Sequence, residues 1–367
     1  MSTISGTVFR RGAELAAVHL KREPSDNQPR ASPWMFGIFG LTILAISLTM
    51  WAVQYTLGNV VATLAAVEDT NPDIYVRIDS NEDDPNKPVN PNEPEMATST
   101  PLQPITSKLR TTMRHLRARS GFWSPFRGLS IFLVYSLARG FISGLLPTRG
   151  SFLGSFLAQS CISMLLATWQ MAWVHIVISE PSPKPFYQRI PSYRTWPKIA
   201  PAVALQDILT AAGFFLPLAV LEALGLIDFE TPRDEITMKY VCSTMAIYLI
   251  PALFAFLISI PARGIFIRVA ASMLPEEDES IVPFDRSFGG KVNPAITGGS
   301  GCLSVKDAWA TFDWPARVRF GKVIGKTILI EMALGVAAVA ILVGEVMLMG
   351  PGVLAIGGPS DPKGVSV

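Results

Sequence analysis

The chain has 367 residues, 49% of them hydrophobic and only 16% charged, against about 25% charged in ordinary soluble domains. Its mean hydropathy is +0.36, and 31 Lys and Arg nearly balance 29 Asp and Glu. So little charge cannot coat the surfaces of two or three soluble domains, which excludes a soluble enzyme, a nucleic-acid-binding module and a secreted disulfide scaffold. A multi-pass membrane protein is expected. The cysteines Cys161, Cys242 and Cys302 are too few and too scattered for a disulfide framework or a zinc site, and read as small packing residues.

Residues 1–30 form an N-terminal tail. Its first 22 residues hold Arg10, Arg11, Lys21 and Arg22 against the single acid Glu14, a composition that suits a mitochondrial transit peptide or, equally, a disordered cytosolic tail. The first apolar run, 31–67, contains no charged residue. It exceeds the roughly 20 residues one span requires, so it is expected to tilt or to continue beyond the bilayer. Further spans are predicted over 129–146, 152–178, 199–227, 240–260 and 328–349. The runs are long and apolar on all sides, unlike the short alternating strands of a membrane barrel.

The connections alternate in length: long over 68–127, a few residues around Pro147, moderate over 179–198, short over 228–239, and long over 261–327. Three helical hairpins with their larger loops on a common side follow from this order. Lys108, Arg110, Arg114, Arg117, Arg119 and Arg127 precede the second span without an acid among them. Lys184, Arg189, Arg194 and Lys198 fill the third connection, and Arg263, Arg268, Arg317, Arg319, Lys322 and Lys326 flank spans five and six. Basic residues near span ends mark the cytoplasm-like or matrix side, which places both termini, including the tail at 351–367, opposite. The basic N-terminal tail runs against that assignment.

The stretch 68–95 has nine acids, two bases and five prolines and too little apolar content to fold. It is expected to be disordered and able to recruit a protein partner. In 107–119, Leu109, Met113 and Leu116 recur at helical spacing among arginines, the pattern of a basic amphipathic helix on a membrane surface or of an ordinary solvated one. Gly298, Gly299 and Gly301 lack the Lys-Ser/Thr of a phosphate loop.

Gly121-Phe122-Trp123-Ser124-Pro125-Phe126-Arg127-Gly128 stands immediately before the second span, and Pro261-Ala262-Arg263-Gly264-Ile265-Phe266-Ile267-Arg268 closes the fifth. With the three hairpins, these segments resemble the mitochondrial carrier family. That family places acid-Gly, four residues, then aromatic-basic-Gly before its even helices, and ends its odd helices in Pro-x-acid-x-x-basic-x-basic. The matching positions here are Gly121, Phe126, Arg127 and Gly128, then Pro261 and Arg268, with a fainter echo in Trp196-Pro197-Lys198. Ser120 stands where the first motif has its acid, Arg263 where the second has its acid, and Phe266 where it has a basic residue. After span three the order Glu180-Pro181-Ser182-Pro183-Lys184 departs from the pattern, and after span one Pro72, Asp73 and Arg77 are one residue out of register. The family's salt-bridge ring could not form in this chain as drawn, so the resemblance implies a divergent carrier or a relative that has lost transport.

Charge inside the hydrocarbon region costs at least a few kcal/mol, so each ionisable residue in a span asks for a reason. Arg139 lies deep in span two with Tyr135 one turn earlier, and Gln206 and Asp207 lie well inside span four. By the resemblance, Tyr135, Gln206 and Asp207 fall where family members contact substrate on even helices, and an Arg139–Asp207 pair is expected. Glu331, near the start of span six, either completes the candidate set or reaches the membrane interface. Glu222 and Glu345 are expected to reach the interface, and His175, near Trp169 and Trp173, to sit in an interfacial aromatic belt. No catalytic triad, His-Glu-x-x-His helix or carboxylate pair appears, and three separated histidines offer no metal centre. No enzyme activity, cofactor or metal is expected.

The expectation is therefore an all-α integral membrane protein of six transmembrane helices in three hairpins. Its partners would be the lipid bilayer and a small polar or anionic solute. The implied function is carrier-like transport across the mitochondrial inner membrane. The alternative is a non-transporting scaffold or adaptor of an organelle membrane, with the endoplasmic reticulum as the other address.

Overall fold

A computed structural model describes residues 33–69, 104–146, 152–225, 238–292 and 301–349. The predictions for the N-terminal tail, for most of the acidic stretch and for the C-terminal tail lie outside the described residues. The described chain is helical, with no strand beyond an antiparallel bridge between Ser179 and Ser280. Five stretches are long and apolar enough to cross a membrane: Trp34–Val67, Ser124–Leu145, Phe186–Ala223, Ile247–Ser272 and Trp314–Leu348. A bent pair, Phe156–Leu165 with Ala167–Ile178, makes a sixth if counted as one span. These lengths and compositions fit a multi-pass integral membrane protein.

The chain divides into two compact units, Met1–Gln54 with Thr327–Val367, and Tyr55–Lys326. In the first, helix α1 (Pro33–Val53) exposes Trp34, Leu41 and Leu48, apolar side chains suited to lipid. The matching part of the last helix, α10 (Trp314–Met349), exposes Leu329, Val336 and Met347. Glu345 does not stand free in that apolar setting: its Oε1 accepts from the Thr42 hydroxyl at 2.6 Å.

The second unit holds the core and the site. After a wide π-helical turn over Gln54–Val61 come α2 (Ala62–Val67), α3 (Leu109–Ser120), α4 (Leu129–Leu145), α5 (Phe152–Leu165), α6 (Ala167–Ile178), α7 (Trp196–Ala223), α8 (Met238–Ser272) and α9 (Val305–Ala310), followed by the start of α10. All six residues of α2 are buried. They are part of a core that also takes Met171, Val174 and Ile178 of α6, Ile267 and Val269 of α8, and Phe312 and Phe320. The end of the first apolar run is thus protein-buried helix.

Three differences from the sequence reading follow from burial. Helix α8 does not stop at residue 260 but runs through Pro261 to Ser272, and α10 starts at Trp314. The long connection therefore shrinks to residues 273–313 and contains α9. Proline is tolerated inside a helix where other groups re-satisfy the freed backbone. Second, Glu68, assigned to the disordered stretch, is fully buried. Its carboxylate accepts the amides of Ile105 at 2.6 Å and Thr106 at 3.0 Å and the Thr106 hydroxyl, while Arg319 Nε lies 3.9 Å away. Third, His175 is buried rather than interfacial, with Nε2 2.8 Å from the Ala270 carbonyl.

The larger connections converge. The Asp69 amide donates to the Pro283 carbonyl, the Glu180 amide to Glu279, and the Ile281 amide to Ile178. Helix α3 joins this cluster, burying Thr112 and Leu116 and setting His115 Nε2 3.0 Å from the Ile281 carbonyl. Arg119 pairs with Glu180 at 2.6 Å and Arg189 with Asp278 at 3.2 Å. Outside the spans, Glu277 beside the exposed Lys184 ammonium raises the lysine pKa.

Candidate functional site

The second unit encloses a cavity of about 540 Å³, within the range of small-molecule sites. Each wall is one helical stripe. Helix α4 contributes Phe132, Tyr135 and Arg139, spaced so that all three share a face; α5 contributes Phe156, Gln159 and Ser160; α6 contributes Gln170 and Trp173. Helix α7 supplies Gln206, Asp207 and Thr210, α8 supplies Ser259 and Arg263, and the π turn supplies Asn59. The same helices present apolar side chains outward, among them Leu137, Phe141, Leu157, Ile208, Leu216 and Leu257. Polar inside and apolar outside is the reverse of a soluble bundle, and it fits a cavity surrounded by lipid.

A break in the bent pair shapes one wall. Helices α5 and α6 meet at 58° around Leu166. The bend frees backbone carbonyls, and side chains take them up: Gln170 Nε2 donates to the Ser163 carbonyl at 3.1 Å and Trp196 Nε1 to the Met164 carbonyl at 2.7 Å. A kink held by such donors is a fixed feature of the helix.

Of the residues proposed from sequence, Tyr135, Arg139, Gln206 and Asp207 come together in this cavity. Ser163 and Arg139 lie beside Tyr135, and Ser163 also lies beside Asp207. Arg139 acts on Asp207 through charge, but the four ion pairs among the described residues do not join them. The expected direct pair is thus absent, although both residues line the same cavity. Asp207 Oδ2 and Ser160 Oγ are buried without a hydrogen-bond partner. Glu331 belongs to the other unit, half-buried, and is not among the cavity's lining residues.

Sequence reasoning passed over Arg263, whose Nη2 donates to Asn59 Oδ1 at 2.7 Å, and the polar stripe of Gln159, Ser160 and Ser163. Both carried a signal: polar side chains three or four apart inside an apolar span mark one inward face.

The motif residues near the helix ends serve the fold. Arg127 donates to the Ile176 carbonyl at 3.0 Å and to the Ser179 carbonyl, which caps the end of α6. Gly128 begins α4 at φ +71°, and a Cβ there would lie 3.0 Å from Trp173 Cδ1. Trp173 in turn donates to the Tyr55 hydroxyl at 3.2 Å, and Tyr55 to the Arg127 carbonyl at 2.6 Å. Phe126 stacks on Tyr55 with ring centres 6.4 Å apart, and Gly121 ends α3 at φ +76°. Pro261 lies within α8. Arg268, buried, donates to the Ala66 carbonyl at 3.3 Å and to Thr311 at 3.0 Å, between the Phe288 and Phe312 rings.

Arg268 also borders a smaller cavity of about 240 Å³ with Glu68, Asp69, Asp285 and Asp313. Among the described residues no group of three or more His, Cys, Asp or Glu side chains could hold a metal ion. Comparison of the chain with known protein families, curated proteins and solved structures gave no match.

Proposed function

We propose that this chain is a carrier-like transporter of a small polar or anionic solute, and that its address is the mitochondrial inner membrane. The observation that carries the reading is the 540 Å³ polar cavity among helices whose outer faces are apolar. A charged, amide-rich pocket at that place is costly unless it is used. The convergence of the connections beginning at Glu68, Ser179 and Met273 supports three hairpins with their larger loops on one side. The basic, acid-poor residues 1–22 and the carrier-like segments at Gly121–Gly128 and Pro261–Arg268 support the mitochondrial address.

In this reading solute binds near Tyr135, Arg139, Gln206 and Asp207 and shifts an equilibrium between two cavity openings, which requires different affinities for the two states. Uptake of labelled polar and anionic solutes into liposomes holding the purified chain tests it. Solute-specific uptake lost in Asp207→Leu is expected. Absence of uptake for every solute, with intact thermal stability, would favour the scaffold alternative. Fractionation of the tagged protein with endoplasmic reticulum and not with mitochondria would overturn the address.

A further inference from the structure

The charges in the main cavity are distributed unevenly. Arg139 has Asp207 nearby to offset it. Arg263 has no such carboxylate: its guanidinium donates to the neutral Asn59 amide, and none of the four ion pairs among the described residues includes it. Two guanidiniums and one carboxylate leave a single uncompensated positive charge facing the cavity. A charge held away from water is costly to retain unless a counter-charge completes it. The amide does not supply that charge, but it does fix direction. Asn59 sits in the π turn, a type of helix distortion concentrated at functional sites, and it engages one of the five guanidinium donors, leaving the rest for a ligand.

The remainder of the lining sets the ligand's other half. Phe132, Phe156 and Trp173 give the cavity an aromatic wall. We propose that the cavity binds a small organic monocarboxylate, with its carboxylate on the Arg263 guanidinium and its apolar body against these rings. A guanidinium matches a carboxylate through two parallel N–H donors, which a lysine cannot reproduce. A second anionic charge would meet no uncompensated cation and would face Asp207. The proposal rests on reading the cavity as a solute site, and it adds the ligand's charge and the residue that reads it.

The test is calorimetric titration of the full chain in detergent, with benzoate, its neutral isostere benzamide and the dianion phthalate as probes. Benzoate is expected to bind, benzamide and phthalate to bind at least tenfold more weakly, and Arg263→Gln to lose benzoate binding at least tenfold. Arg263→Lys keeps the charge without the fork and is expected to fall between. Asn59→Ala, which leaves Arg263 in place, is expected to weaken benzoate severalfold and provides the comparison if Arg263→Gln does not fold. Equal binding of benzamide and benzoate, tighter binding of phthalate, or unchanged benzoate affinity in both Arg263→Lys and Asn59→Ala overturns the proposal. Binding and transport separate cleanly: benzoate binding without uptake of any solute keeps this inference and removes the transport reading, while uptake confined to neutral solutes does the reverse.

Discussion

The Glu68 carboxylate accepts both the backbone amide and the hydroxyl of Thr106, so a residue at the edge of the acidic stretch pins the turn that leads into α3. Arg319 adds a second tie: it donates to the Glu68 carbonyl, with Nε 3.9 Å from the carboxylate. Removing Glu68 leaves the buried Thr106 amide and hydroxyl and the Ile105 amide without their acceptor and weakens a buried ion pair. Glu68→Ala is expected to cost about 3–5 kcal/mol, read as a large fall in Tm of the purified protein, and Glu68→Gln less. A Tm within a degree of wild type for the alanine variant would contradict the placement of this side chain.

Gly128 offers a backbone test of the α4 start. Its φ of +71° and the 3.0 Å approach of Trp173 Cδ1 leave no room for a side chain. Gly128→Ala is expected to destabilise by about 1–2 kcal/mol from the left-handed conformation alone, with more from the displaced indole. Changed tryptophan emission at reduced Tm is the expected signature, and Gly121→Ala, whose Cβ would meet nothing within 4 Å, is expected to leave that emission unchanged.

Arg139 and Asp207 line one cavity with Tyr135 but form no direct ion pair. A double-mutant cycle on stability with Arg139→Leu and Asp207→Leu is therefore expected to give a coupling near the lower end of the 0.5–3 kcal/mol seen for residues sharing a network. The double variant is expected to fold and to fail in uptake, because apolar replacements cannot hold a polar solute. Wild-type uptake by that variant would remove both residues from the site.

Outside the spans, Asp285 supplies a pH-dependent element. Partial burial works against its ionised form, but the Gly289 and Ser287 amides and the Ser287 hydroxyl outweigh it and hold the carboxyl below its ordinary value. A depressed folded pKa means that the stabilisation is present above the unfolded value and is lost as pH falls through the folded one. Amide exchange at Gly289 is expected to accelerate relative to its intrinsic rate only below the ordinary carboxylate range, and Asp285→Asn to abolish that step. A transition centred near neutrality would point to another group.

Long uncharged runs made the spans legible in the sequence, because about 20 apolar residues have few other uses. Tyr135, Arg139, Gln206 and Asp207 were legible for the complementary reason, as polar groups where polarity is expensive. The helix ends were not legible. Pro261 reads as a stop, yet α8 continues to Ser272, eleven positions further, in a protein-buried setting that local pattern does not reveal. Glu68 was masked by its neighbours: composition averages over a stretch, and one buried acid at its edge vanishes in the mean. Arg263 was read as a flanking basic residue and a departure from a motif, because its partner Asn59 lies 204 residues away in sequence.

Gly213 lies so close to α8 that a Cβ there would come within 2.8 Å of the Ala255 backbone. At this crossing the two helices have no side-chain layer between them, so α7 and α8 pack backbone to backbone there. Asp207 sits on one member of that pair and Arg263 on the other, so the spacing of their charges depends on this contact. Gly213→Val, by forcing the two helices apart, is expected to shift both charges and to disturb the cavity lining without altering either residue.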